Sequence, residues 1–425
     1  MNYLRKKIKD GVYLTCFDTD KFKTDYFSVC FTSALCREKA SLNALLPLVL
    51  VRATKSYAEP QEISSELDML YDSSVSPKCT KLGETQIFGL TMDCIDNSYI
   101  PDGTDVFGKT LDIMSEMLFE PRLENGVFLA KYVDSEKEHT ITSIKAQIND
   151  KRRYSIRRLE EIMFEDEAYS IDSLGTVEAV SEITPTTLYS HYKDVLDNCN
   201  VEMFFVGKYN AEVEKKILSS FDFSARTEIP YSCSIIKSRE KEKDVTEYSD
   251  VSQSNLTLGF RTGHDLSEGD FYKQVLMCEI FGRGTTSKLF MNVREKLSLC
   301  YFCSSYLNAL KGCMFVSSGI EKKNKELALN EIKKQLEAVK NGDITDDEMD
   351  NAIKSIADSY NEIADSPTRI ESWFYGRLLA GLEQTPQEAL ELIKKLTKED
   401  IARVASEVTL DTVYFLTSKD GEGVK

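Results

Sequence analysis

The sequence predicts an α+β protein built from two similar domains. Three observations lead there. The chain has 425 residues, more than one hydrophobic core serves. Strand-like and helix-like runs follow the same order in each half. The ends of the halves also match: Thr184-Pro-Thr-Thr-Leu runs on to Val201-Glu-Met-Phe-Phe-Val, and Thr397-Lys-Glu-Asp-Ile to Thr412-Val-Tyr-Phe-Leu. Self-similarity at about half the chain length marks a duplicated α+β unit.

The first half opens on strand-like runs at 11–19 and 26–35. Helical patterns follow at 41–56 and 60–71. Residues 74–80 and 86–93 read as strands, the latter alternating apolar residues at period two. Long helical patterns fill 105–119 and 131–167. Thr184 followed by Pro185 is a helix start, because proline suits the first helical position. A strand at 201–207 closes the half. Residues 222–250 are polar and include Ser238-Arg-Glu-Lys-Glu-Lys-Asp, too little apolar surface to fold alone. The expected division is therefore a first domain at 1–222, a linker at 223–250 and a second domain at 251–425. In the second domain, strands are expected at 255–262, 300–307, 312–320 and 412–417. Helices are expected at 271–281, 287–296, 325–339, 345–364, 367–380 and from Thr397 onward.

Composition narrows the function. With 42% hydrophobic and 29% charged residues, the chain reads as an ordinary globular protein. The longest apolar run, 44–51, is too short to span a bilayer. Met1-Asn-Tyr-Leu-Arg-Lys-Lys-Ile has basic residues with no apolar stretch behind them, unlike a secretory signal. Most of the eleven cysteines sit in apolar strand-like runs and read as reduced thiols, which points to the cytoplasm. A net charge of −17 argues against nucleic acid and anionic membranes as partners. It suits a solvated acidic surface, or a basic peptide ligand.

The segment with the most specific pattern is Phe281-Gly-Arg-Gly-Thr-Thr-Ser-Lys-Leu-Phe-Met-Asn-Val-Arg-Glu-Lys-Leu-Ser-Leu-Cys-Tyr301. A glycine-rich turn precedes a short helix, and Arg294 and Tyr301 flank the turn into the next strand. This arrangement resembles the second domain of the insulinase/pitrilysin-type zinc peptidases, whose metal motif is H-x-x-E-H. The resemblance covers nearly the whole chain in element order. It implies two domains, each an antiparallel-rich sheet packed on helices, together forming half of a clam-shell around a peptide chamber. One departure is Ser298, where the family usually has glycine.

In that family H-x-x-E-H lies on a first-domain helix, just before a Phe-x-Gly-Thr pattern. Residues three and four apart share a helix face, so two imidazoles reach one zinc while the glutamate activates water. Here the equivalent pattern is Val51-Arg-Ala-Thr54, which puts Ala44, Pro47 and Leu48 at the motif positions. The family's third ligand, a glutamate, falls at Ser143 by the pattern Glu136-Lys-Glu-His-Thr-Ile-Thr-Ser-Ile. None of these side chains binds zinc, so no metal cofactor is expected in this chain. His139, His191 and His264 have no mutual ligand spacing, and each is expected to be a surface or capping residue. Cys300-Tyr-Phe-Cys303 is a C-x-x-C, but on a strand residues three apart face opposite ways, so it is not expected to grip a metal.

The resemblance implies that Arg294 and Tyr301 contact the substrate backbone. A guanidinium and a phenol are suited to donate to a scissile carbonyl as charge develops on it. Gly282 and Gly284 fit neither a Walker nor a dinucleotide fingerprint. They read as a hinge that lets peptide pass, or as a simple helix–helix turn. Peptide would add as a strand to a sheet edge, for which 86–93 is the expected strand. The whole implies a non-catalytic, substrate-binding subunit for unfolded peptides, inactive alone, with a homologous zinc-binding subunit as partner supplying the zinc. A homodimer is the other pairing to consider. A non-enzymatic scaffold of the same fold would instead bury Arg294 and Tyr301 in internal contacts. A standalone peptidase with an unorthodox metal site is the third alternative.

Overall fold

The structure, a computed structural model, describes residues 2–231, 233–239 and 241–419. It divides into two compact units, residues 1–145 with 171–231, and residues 146–170 with 232–425. Positions 232 and 240 of the expected linker, and 420–425 of the expected second domain, lie outside the described residues.

The first unit begins with β1 (Asn2–Lys9), β2 (Val12–Asp18) and β3 (Thr24–Ala34). Helices α1 (Arg37–Leu50) and α2 (Pro60–Met69) follow, then β4 (Ser74–Leu82), β5 (Thr85–Ile95) and α3 (Val106–Phe119). A short ribbon, β6 (Leu123–Glu124) and β7 (Val127–Phe128), leads to α4 (Ala130–Ala146). Helix α5 (Lys151–Met163) belongs to the second unit. The chain returns through α6 (Val177–Glu182), α7 (Pro185–Asn198), β8 (Asn200–Gly207) and α8 (Ala211–Ser220). The second unit continues with β9 (Lys243–Tyr248), β10 (Ser254–Arg261), α9 (Phe271–Cys278), β11 (Cys300–Asn308) and β12 (Cys313–Ile320). It ends with α10 (Lys325–Lys340), α11 (Asp346–Asn361), α12 (Pro367–Leu379), α13 (Pro386–Ile393), α14 (Lys398–Ser406) and β13 (Thr409–Thr417).

The two sheets carry the same topology. In the first unit the strand order reads β4-β5-β3-β8-β2-β1, and in the second β11-β12-β10-β13-β9. Position by position, the pairings agree in direction. The β2–β8 and β9–β13 pairs are parallel, and the other matched pairs are antiparallel. The first unit has one further edge strand, β1, antiparallel to β2. The protein is thus an α+β fold of two similar domains.

Four details differ from the sequence reading. The pattern at 131–167 is not one helix. It breaks at Asp150, whose carboxylate accepts from the Arg153 N–H and starts α5. Helix α5 then lies on the second sheet, where Leu159, Met163 and Phe164 pack with Phe315, Tyr414 and Leu416. Gly259 of β10 permits this approach, since a Cβ there would come within 2.5 Å of Met163 Sδ. Glu167 fixes the end of the segment by pairing with two fully buried cations, Arg261 and Lys311.

Second, the polar linker ends in a strand. β9 is an edge strand beside β13, and its Glu247 accepts from Tyr154, Arg158 and Tyr414. Third, β1, for which the sequence reading has no element, is a charged edge strand whose Arg5 pairs with buried Glu202. Fourth, residues 86–93 are not an edge. Strand β5 lies between β3 and β4 and is buried on both faces along most of its length, so the edges are β1 and β4. Its period-two alternation misleads because Gln86 is polar yet fully buried.

Helix α1 is tied down by a neutral hydrogen-bond network. Asn43, fully buried, donates to Ser33 Oγ at 3.0 Å and to Gln86 Oε1 at 2.8 Å. Gln86 donates to the carbonyls of Ala40 and Ser173. His191 Nε2 lies 2.7 Å from Asn43 Oδ1. Asn43 already uses its amide as donor, so His191 donates through Nε2–H. His191 is therefore a buried core residue rather than a surface one. Burial first, and the nearby Lys39 charge second, push its pKa down to about 4.

This sets a pH dependence. A depressed folded-state pKa stabilises above the unfolded value of about 6.5 and is lost as pH falls toward 4. Chemical denaturation between pH 7 and pH 4 should show a loss on the order of 3 kcal/mol from this group. His191→Gln should flatten that slope.

Candidate functional site

The first-unit positions at which the resemblance would put a metal lie on α1 and α4. Ala44 and Pro47 are buried and Leu48 is half-buried. Pro47 sits inside α1, where it has no N–H to return to the Asn43 carbonyl. Ser143 on α4 is half-buried. These side chains offer no imidazole and no carboxylate, so they do not fit zinc. Among the described residues, no group of three or more His, Cys, Asp or Glu is placed to hold a metal ion.

A carboxylate is nonetheless present on the same helix. Glu136 lies two turns before Ser143 and is 1% exposed. The Arg52 guanidinium, supplied from the turn after α1, forms an ion pair with it, and His139 Nδ1 is 3.4 Å away. Neither Glu136 oxygen makes a well-aligned hydrogen bond, so the pairing is by charge and proximity. In the sequence, Arg52 carries no expected role and Glu136 belongs only to the pattern that sets the register of Ser143. The available signal was an acid seven residues from Ser143, on one face of a helix.

The second-unit corner is built by unusual backbone. After α9 the chain widens into π-helical turns at Glu279–Arg283 and again at Leu289–Lys296, in place of the ordinary helices expected there. Such turns occur often at functional sites. The i→i+5 bonds from Gly284 N–H to Glu279 O and from Leu297 N–H to Asn292 O are of this kind. Gly282 is packed tight, since a Cβ there would lie 2.6 Å from Leu289 Cδ1 and 2.8 Å from Ser305 Oγ. Gly284 is extended, and a Cβ there would crowd Glu279 Oε1 at 3.2 Å.

Arg294 is carried on the second π-helical segment. Its side chain is exposed, stacks on Phe290 at 4.6 Å, and approaches Glu295 at 3.6 Å. An exposed pair at that distance holds little energy. Ser298 then adopts φ 48°, the left-handed region where glycine would be unstrained. The departure from the family's glycine therefore falls on the residue whose backbone favours it. Tyr301 follows at a register shift between Cys300 and Phe302 on edge strand β11. A bulge of this kind re-aims a side chain, and Tyr301 is 66% exposed.

The same bulge overturns the expectation for the C-x-x-C. Cys300 pairs with Ile320 and Cys303 with Ser318. Those partners are two residues apart on β12 and face one side, so Cys300 and Cys303 also share a face. The neighbouring Cys303 thiol is the main cause of a lowered Cys300 pKa, helped by Ser318 and the Arg294 charge against the opposing effect of burial. Cys303 is pushed well up. All eleven cysteines are free thiols. No helix among the described residues is long and apolar enough to cross a membrane.

Arg52→Ala removes the arginine partner of a buried carboxylate and should lower the unfolding free energy by about 3 kcal/mol. In Arg52→Ala/Glu136→Gln the loss should be smaller than the sum of the single variants, as read from a double-mutant cycle in urea. Limited alkylation with iodoacetamide near neutral pH, read by peptide mass mapping, should label Cys300 ahead of Cys79, Cys278 and Cys313. Those three thiols have pKa values raised by burial.

Comparison with known proteins places this geometry. The sequence profile described as "Peptidase M16 inactive domain" matches residues 182–356. The chain is 32% identical over 422 residues to a "Probable inactive metalloprotease YmfF" of Bacillus subtilis, covering 99% of each chain. A crystal structure of a conserved protein from Enterococcus faecalis V583 superposes with a TM-score of 0.91 at 27% identity, covering 100% of both chains. The peptidase M16 inactive domain from Pseudomonas fluorescens shares the fold at a TM-score of 0.77 and 14% identity, again over 100% of both chains. The chain belongs to the M16, insulinase/pitrilysin-type, metallopeptidase family and is a homologue of its inactive members.

Proposed function

We propose that this chain is a non-catalytic, substrate-binding subunit that acts with a homologous zinc-binding peptidase subunit on unfolded peptides. One observation carries the reading. Arg294 and Tyr301 both stand in solvent with their donors available, while the helix positions that would hold metal are aliphatic. Burial of that pair in internal contacts would have favoured a scaffold. In the proposed role the partner supplies the zinc. Arg294 presents its fixed fork of N–H donors to a peptide carbonyl, and Tyr301 adds a hydroxyl from the adjacent bulge. Donors aimed at the oxygen where charge develops favour the transition state over the bound peptide. The acidic chain, at −17, also favours peptides with basic residues.

Co-purification from the native cell, with sequencing of any bound chain, tests the pairing. A partner bearing H-x-x-E-H, and hydrolysis of an unfolded peptide only in the mixture, is the expected result. Within that mixture Arg294→Ala should lower kcat/KM by about 100-fold or more, with thermal stability unchanged. Equal hydrolysis with and without Arg294 would remove the assigned role.

A further inference from the structure

The second unit handles its buried arginines in two ways. Arg261, fully buried, is matched by Asp411 at 2.9 Å and Glu167 at 3.1 Å. Arg377 on α12 is 7% exposed and has no carboxylate partner among the described residues. Its guanidinium lies on the Trp373 ring, 3.2 Å from the centroid, and one amine donates to Tyr272 Oη at 3.4 Å. Its Nε is buried without a hydrogen-bond acceptor. A charge this deep is normally paired, because removal from water is costly and a ring face offsets only part of it.

Arg377 lines a cavity of about 120 Å³. Phe271, Val275 and Ile356 supply apolar walls, and Tyr360 and Trp373 supply aromatic ones. Arg283, an exposed cation, also lines it. Glu279 is the one carboxylate in the lining, with Arg283 at 3.7 Å and the Ser355 hydroxyl donating to it at 2.6 Å. The fixed charges of the lining therefore sum to one positive charge, carried by Arg377.

We propose that this cavity binds a small monocarboxylate, its carboxylate on Arg377 and its short aliphatic chain against Phe271 and Ile356. A single negative charge completes the balance that Arg377 lacks. A dianion such as phosphate would meet the Glu279 carboxylate, and it has no use for the apolar walls. The cavity is too small for a peptide segment, so this site is separate from the peptide role of Arg294 and Tyr301.

The molecule carries its own reporter, because Trp373 is the only tryptophan in the chain. Sodium propionate titrated into the intact wild-type protein should change its fluorescence saturably, with a midpoint on the order of 1 mM. Sodium chloride and sodium phosphate at matched ionic strength should give no saturable change. Arg377→Gln should weaken the propionate response at least tenfold. Ile356→Phe, which fills the cavity and keeps the charge, should do the same and serves if Arg377→Gln does not fold. The proposal is overturned by a wild-type response that does not saturate, by an equal response to chloride or phosphate, or by an undiminished response in a folded variant.

Discussion

Helix α1 is held to its sheet by hydrogen bonds that are all neutral and all satisfied. Asn43 spends both of its amide hydrogens on Ser33 and Gln86 and takes its third bond from His191. Gln86 closes the set on backbone carbonyls. Buried polar networks stabilise only when every member is paired, and they then fix one arrangement of the elements they join. With Asn43 locked, the neighbouring Ala44, Leu45 and Leu46 are turned into the core. The face that a metal site would need is thereby committed to packing. Pro47 inside the same helix reinforces this, since its ring and missing N–H restrict what that turn can present.

The electrostatics of the region follow from the same commitment. Glu136 remains buried on α4, and a buried carboxylate needs a counter-charge. Arg52, one turn beyond the buried part of α1, provides it. The positive charge at this place is part of a side chain, with a long stem reaching from a half-exposed position. A pair of this kind holds geometry but contributes little net stability. The second unit spends its irregular backbone differently. Two π-helical turns, a left-handed Ser298 and a bulge at Tyr301 follow one another within a short stretch. Together they leave an arginine on the helical segment and a tyrosine on the sheet edge, both facing water.

Much of this was legible in the sequence. Apolar periodicity marked most strands and helices, and Thr184-Pro185 marked a helix start that the structure caps with Thr184 Oγ1. The aliphatic identity of Ala44, Pro47 and Leu48 needed no coordinates. What escaped reading was set by tertiary context. The break at Asp150 is invisible to periodicity because both flanking segments are helical. Strand β9 is polar on its open side and owes its place to pairing with β13. Strand β5 looks half-exposed by alternation, yet Gln86 is buried because it serves the α1 network. The Cys300–Cys303 parity failed because simple alternation ends at a bulge. The Arg52–Glu136 pair joins residues far apart in sequence, which no local pattern reports.

The central claim is that α1 has become a packing element, with Ala44, Pro47 and Leu48 offering no zinc ligand where the resemblance puts the metal motif. Elemental analysis by mass spectrometry settles it most directly. Purified protein is loaded with zinc sulfate in excess, desalted, and measured for zinc per chain. The account requires far less than one zinc per polypeptide, unchanged in Ser143→Ala. One zinc retained per chain would contradict it.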